Sequence, residues 1–148
     1  MGRLTDLLGQ RVYLDTNIVV YAVEGVPEFA PAVRAFLRCV DSEEIHVVTS
    51  LLTLAEVLVK PKRDANNALV TAYKEFLSPT ASLTLSPISW EVLDSAASIR
   101  AERRVKLPDA IHLATCCLEG CSSLLTNDST LAIQDVCRVV LLSDIAGE

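Results

Sequence analysis

Hydrophobic positions along the chain follow two alternating rhythms. "RVYLD" (11–15), "EIHVVTS" (44–50), "SLTLSPIS" (82–89), "SSLLT" (122–126) and "CRVVLLS" (137–143) are short β-branched or leucine-rich runs bounded by polar residues, a pattern that predicts strands. The segments between them change period. In "PEFAPAVRAFLRCVDSEE" (27–44), Phe29, Val33, Phe36, Leu37 and Val40 recur at helical spacing, with Pro31 near the start, where proline is tolerated. "DANNALVTAYKEFL" (64–77) and "WEVLDSAASIRAERR" (90–104) are amphipathic in the same sense, and "SLLTLAEVLVK" (50–60) is a helix apolar nearly all round. "LPDAIHLATCCLEG" (107–120) places Pro108 in a first turn and Gly120 past the end, the asymmetry expected of helix termini.

Strands that alternate with helices predict an α/β fold, a three-layer sandwich with a mostly parallel four- to five-stranded sheet flanked by helices. Only the last pair of strands leaves room for a hairpin. The 148 residues suit a single domain, 1–148, because that length buries most of its own apolar surface. No apolar run approaches the ~18–20 residues that span a bilayer, and "MGRLTDLLGQ" lacks the apolar core of a signal peptide, so a cytoplasmic protein with no membrane contact is expected.

Composition narrows the chemistry. A net charge of −6 argues against wrapping duplex DNA, and 5% aromatic residues leave few rings for base stacking. Basic residues are concentrated in "KPKR" (60–63) and "RAERRVK" (100–106), each close to an acid of interest. The five cysteines form no C-x-x-C pair; reduced, mostly buried thiols are expected, and "CCLEGC" (116–121) lacks a second ligand pair for a soft metal.

Asp15 and Asn17, with Thr16 between them, follow the first strand and precede "IVVYAV". They are open to two readings: a helix cap worth about 1 kcal/mol, or oxygen ligands at the sheet edge. Thr126, Asn127 and Asp128 share that ambiguity after the fourth strand. Glu56 sits in the apolar helix, where a carboxylate needs a partner or a metal. The bland reading is a capping box with Thr53; a helix start at Ser50, which puts Glu56 in mid-helix, is preferred. Asp109 gains from the helix dipole in a first turn, and His112 reads as a packing or hydrogen-bonding residue rather than a ligand.

Taken together, the four acids arrive from strand ends or helices beside them, and in open α/β sheets ligands bind beyond the carboxyl ends of the strands. Two carboxylates about 4 Å apart repel by roughly 4 kcal/mol at an effective dielectric of 20, so such a set requires cations or protons. Oxygen-only donors suit Mg²⁺ or Mn²⁺.

"YLDTNIVVY", the Glu of "LTLAEVL", "LPDAIHLATC" and "LLTNDSTL", in this order and spacing, resemble the PIN-domain nucleases, and among them the VapC-type toxins of toxin–antitoxin pairs. The likeness spans nearly the whole chain. It implies a divalent-metal-dependent endoribonuclease in which Asp15, Glu56, Asp109 and Asp128 hold Mg²⁺ or Mn²⁺, with Asn17, Thr16, Thr126 and Asn127 in support. It also implies hydrolysis by a metal-bound water that leaves a 5′-phosphate and a 3′-hydroxyl, a cognate antitoxin, and a homodimer. One departure is Leu131, where members often carry an aromatic residue. On the same reading, Lys60, Arg100, Arg103, Arg104 and Lys106 are candidates to contact the RNA backbone, against the alternative of a solvated face.

Other classes remain open on the residues alone. A haloacid-dehalogenase-type phosphatase also opens with a strand ending in an acid, but needs a second Asp where this chain has Asn17. A receiver-like signalling module needs a phosphoacceptor after the third strand, where the chain reads "SPISW". A non-catalytic PIN-like binding module is a third possibility.

Overall fold

The computed structural model describes residues 3–132 and 134–145. A short 3₁₀ turn at Leu4–Leu7 leads into β1 (Arg11–Leu14), α1 (Thr16–Glu24), α2 (Ala30–Asp41), β2 (His46–Ser50), α3 (Leu51–Arg63) and α4 (Asn67–Phe76). There follow β3 (Leu83–Ser86), α5 (Trp90–Glu102), α6 (Leu107–Leu118), β4 (Ser123–Thr126), α7 (Ser129–Ala132), β5 (Val139–Leu141) and α8 (Leu142–Ile145). The strands form one sheet in the order β3-β2-β1-β4-β5, and every neighbouring pair is parallel.

The parallel β4–β5 pair excludes the hairpin for which the sequence leaves room. The single turn of α7 and the segment after it carry the chain back to the start of the sheet, which a tight turn would not allow. Other boundaries also shift. "DANN" is a turn rather than the start of a helix, with Asp64 closing α3 and Ala65 at φ 53°. Helix α3 runs one turn past Lys60, through Pro61, at the cost of one backbone hydrogen bond. Helix α5 ends before Arg103.

Strand period and burial agree. Val12 and Leu14 face one core with Val47, Leu83, Leu125 and Val140, whereas Tyr13 faces the other with Val48 and Leu124. Helices α1, α2, α3 and α4 cover the first face through Ile18, Val33, Phe36, Val57 and Tyr73. Helices α5 and α6 cover the second through Val92, Ala96, Ala110, Leu113 and Ala114. With both faces covered, β1 has no polar side, which is why "VYL" is an unbroken apolar run. Leu131, on α7 itself, is 2% exposed and packs into the second core.

The strand order reverses direction between β1 and β4. Connections leave β1 toward one edge of the sheet and β4 toward the other, so their carboxyl ends part and open a crevice. Asp15 and Asp128 stand on either side of it.

Helix α4 is tied to α1 by a short hydrogen bond from the buried Tyr73 hydroxyl to the Glu24 carboxylate; burial first, then this bond and then the Glu24 charge raise the phenol pKa. Tyr73→Phe removes that bond while leaving the exposed Glu24 able to rehydrate, so the loss of stability is expected near the low end for such bonds, about 1 kcal/mol. Urea unfolding followed by circular dichroism measures it.

Candidate active site

Asp15 leaves the end of β1 and serves as the N-cap of α1, its Oδ1 accepting from the Thr16 backbone N–H at 2.9 Å. Its other oxygen accepts from the Thr126 hydroxyl at 2.7 Å and lies 3.4 Å from the Asn17 amide nitrogen. Only 6% of the residue is exposed. Three donors therefore surround a nearly buried anion, and they come from two strand ends.

Asn17 closes the same junction from the other side. Its Nδ2 donates to Thr126 Oγ1 at 3.2 Å and its Oδ1 accepts from the Asn127 backbone N–H at 3.2 Å. The Asn127 side chain donates to the Tyr21 hydroxyl at 3.0 Å. Asp128 donates its own N–H to Thr126 Oγ1 at 3.0 Å, and its Oδ1 accepts from the backbone and hydroxyl of Thr130 at 2.9 and 2.6 Å. Capping and site-building are thus not alternatives here. Asp15 spends one oxygen on its own turn and the other on Thr126 and Asn17, and Asp128 spends Oδ1 on its own turn.

Glu56 comes from the middle of α3, whose cap is Ser50 through a bond from Leu52 N–H at 3.0 Å. The capping-box alternative fails because the Thr53 hydroxyl is engaged with Thr49 at 2.8 Å. The expectation of a helix without a solvent face also needs correction. Leu51 and Val59 are 39% and 55% exposed, and Glu56 lies at the edge of that outer face.

His112 was not among the site residues expected from the sequence. One turn beyond Asp109 on α6, it is 1% exposed and bridges the two halves of the site. Its Nε2 lies 2.7 Å from Glu56 Oε1 and 3.2 Å from the Thr16 hydroxyl, and its Nδ1 is 2.6 Å from the buried Tyr13 hydroxyl. A carboxylate only accepts, so Nε2 carries the proton, and the Tyr13 O–H donates to Nδ1. The Thr16 hydroxyl adds a second donor to Glu56 Oε1 at 2.7 Å. Burial raises the Glu56 pKa, but the bonds from His112 and Thr16 outweigh it and hold the carboxyl below its ordinary value. The sequence reads His112 as a packing or hydrogen-bonding residue, and the structure bears this out; Tyr13, a phenol in mid-strand on a buried face, needs just such a polar partner.

Asp109 has the opposite environment. It is half-buried in the first turn of α6, and among the described residues no donor reaches its carboxylate. Burial raises its pKa, and the charge of Asp15 raises it further; His112 offsets part, and Asp128 and Glu56 add to the rise. The four predicted acids therefore share one electrostatic neighbourhood. As placed, no three His, Cys, Asp or Glu side chains among the described residues stand close enough to hold one ion. The donor chemistry nonetheless fits a hard divalent cation: oxygen only, net negative, with one carboxylate lacking any donor.

The family model described as PIN domain matches residues 12–137, from the start of β1 to the threshold of β5. The chain belongs to the PIN-domain family. None of the curated proteins matches it in sequence. Solved structures of PIN toxins share its fold. A chain of VapBC2 from Rickettsia felis, bound to a promoter DNA fragment, superposes with a TM-score of 0.71 at 17% identity, covering 88% of this chain and 98% of that one. A toxin–antitoxin complex from Klebsiella pneumoniae gives 0.67 at 24% identity over 90% and 99%. VapC20 of Mycobacterium tuberculosis, a toxin that cleaves the sarcin-ricin loop, gives 0.63 at 19% identity over 84% and 95%.

The predicted basic residues of this PIN domain divide. Lys60, Arg104 and Lys106 are exposed, and Lys106 is the N-cap residue of α6, two positions before Pro108 and three before Asp109. Arg103 instead donates through Nε to the Gln134 carbonyl at 2.5 Å and pairs with Glu102 at 3.3 Å, which ties the segment before β5 to the end of α5. Arg100 donates to the Val105 carbonyl at 2.7 Å. Among the described residues no helix is long and apolar enough to cross a membrane.

The Asp109 environment has a pH signature. Its folded pKa lies above the unfolded one, so the folded state binds the extra proton across that interval and stability falls as pH rises through it. Asp109→Asn removes the penalty. In EDTA-containing buffer the variant is expected to melt above the wild type at neutral pH, with the difference vanishing below the carboxylate range. Calorimetric melts at several pH values test the sign.

Proposed function

We propose that the chain is a divalent-metal-dependent endoribonuclease and the toxin member of a toxin–antitoxin pair. What supports the reading most is the electrostatic coupling of Asp15, Asp128 and Glu56 to Asp109, which burial and these three acidic neighbours push toward its protonated form. Membership of the PIN family and the fold shared with VapC toxins support it.

In this reading the four carboxylates would hold Mg²⁺ or Mn²⁺, which supplies a water activated near neutral pH and charge neutralisation at the phosphate. The chain's own residues do the positioning. Thr126, Asn17 and the Thr16 N–H fix the Asp15 carboxylate, so its orientation depends on both strand ends. His112 and Thr16 keep Glu56 ionised. The exposed cations Lys60, Arg104 and Lys106 would bind the RNA backbone on the flanks of the crevice. An RNA substrate is supported by the shared fold of the sarcin-ricin-cleaving VapC20, and a cognate antitoxin by the fold shared with a toxin–antitoxin complex; a second copy of the chain would complete the assembly that the family resemblance implies.

Purified protein incubated with a mixed RNA panel in Mg²⁺ or Mn²⁺ is expected to cut internally, to stop in EDTA, and to lose activity in Asp15→Asn. Asn17→Ala, which only loosens the support of Asp15, is expected to cost about 10- to 100-fold. Cleavage that persists in EDTA and in Asp15→Asn overturns the reading.

For the flanking cations, Arg104→Ala with Lys106→Ala is expected to weaken RNA binding and to flatten its dependence on log salt by about 0.7 per lost phosphate contact. Filter binding at several salt concentrations reads the slope. Arg103→Ala, by contrast, is expected to act mainly on stability, through the Gln134 tie.

A further inference from the structure

Far from the acidic crevice, the fold gathers four of the five cysteines at the opposite end of α6. Cys116 and Cys117 lie in its last turns, Cys121 follows Gly120, and Cys137 arrives from the segment that leads into β5. Helix termination brings the first three together: Gly120 turns at φ 68°, and the Cys121 N–H bonds the Cys116 carbonyl at 3.1 Å. The buried Cys116 shares one core with Cys121, Val136 and Cys137, and the exposed Cys117 thiol reaches the carbonyl of Val136, the residue before Cys137, at 3.8 Å. The guanidinium of Arg11 stands beside Cys121. Neither the nuclease reading nor the family relationship uses this cluster.

The four thiols do not make a soft-metal site. Among the described residues no group of three cysteines has the placement to hold an ion, and adjacent helical thiols such as Cys116 and Cys117 diverge around the helix axis. What the geometry does supply is a partly exposed thiol flanked by two others, one of them at the surface.

We propose that Cys137 and Cys117 form a peroxide-responsive thiol pair, with Cys137 as the attacking sulfur and Cys117 as the resolving one, closing a disulfide between the end of α6 and the entry to β5. The Cys137 sulfur attacks one oxygen of a hydroperoxide, the O–O bond breaks, and hydroxide leaves to give a sulfenic acid. The Cys117 sulfur then forms the S–S bond as the hydroxyl departs as water. Two thiols and one hydrogen peroxide thus yield one disulfide and two waters. Two features favour Cys137 as the nucleophile. It is partly exposed, whereas Cys116 is sealed in the core, and the neighbouring Cys116 and Cys117 side chains lower its pKa.

The full-length protein, reduced and then treated with hydrogen peroxide, tests this directly. Digestion after acidic residues cuts at Glu119, Asp128 and Asp135 and so separates Cys116 and Cys117 from Cys121 and from Cys137. The expected product is a cross-linked peptide joining Cys137 to the Cys116–Cys117 fragment, with the mass of two hydrogens lost and restored by dithiothreitol. The cross-link is expected to survive Cys116→Ser and to disappear in Cys117→Ser, where a sulfenic-acid trap labels Cys137. Because Cys117 is at the surface, that variant keeps its fold, which circular dichroism confirms. Four cysteines that oxidise singly without a cross-link, a disulfide to Cys116 or Cys121 instead, or a zinc ion that shields all four thiols would each overturn the proposal.

Discussion

The hydrogen bond from the Thr126 hydroxyl to the Asp15 carboxylate, at 2.7 Å, joins the carboxyl ends of the two central strands across the point where the sheet's connections part. Without a donor from β4, Asp15 would be an anion 6% exposed with only its own turn for support, and burying such a charge unsatisfied costs several kcal/mol. The same hydroxyl accepts the Asp128 N–H, and Asn17 spans the gap with both ends of its amide. The crevice is therefore held at a defined width by neutral donors, while its charge is entirely acidic.

That arrangement divides the four carboxylates into supported and unsupported members. Asp15, Glu56 and Asp128 each accept at least one hydrogen bond from a threonine. Asp109 accepts none among the described residues and bears the cost as a raised pKa. A site whose deficit of positive charge falls on one carboxylate would gain most from a cation there, which is the physical basis of the proposed metal dependence. The His112 bridge extends the same logic to the second layer. It carries a proton to Glu56 on α3 while resting on Tyr13 in β1, so two helices from opposite faces of the sheet are registered against one strand.

How much could be read beforehand follows from the range of each interaction. Five strands, their helices and the three-layer order came from local period, because a strand buried on both faces must be apolar throughout and a covering helix must repeat at helical spacing. Asp15, Asp109 and Asp128 were legible because strand ends and first turns are places the sequence marks with Pro, Asn and Thr. Glu56 was legible only as an anomaly, and the assumed lack of a solvent face was wrong because Val59 and Leu51 lie outward.

Local sequence thus determined the elements, their alternation and the place of each acid within its element. Tertiary structure alone decided what each one touches. The Tyr13–His112–Glu56 chain joins residues 99 and 56 positions apart, Arg103 proved to be a tie to Gln134, 31 positions on, and Cys137 met the α6 thiols only because β5 pairs parallel to β4. Periodicity records which side of an element is buried. It carries no record of the partner, since hydrogen bonds and thiol contacts form between side chains whose separation along the chain is set by how the sheet is threaded.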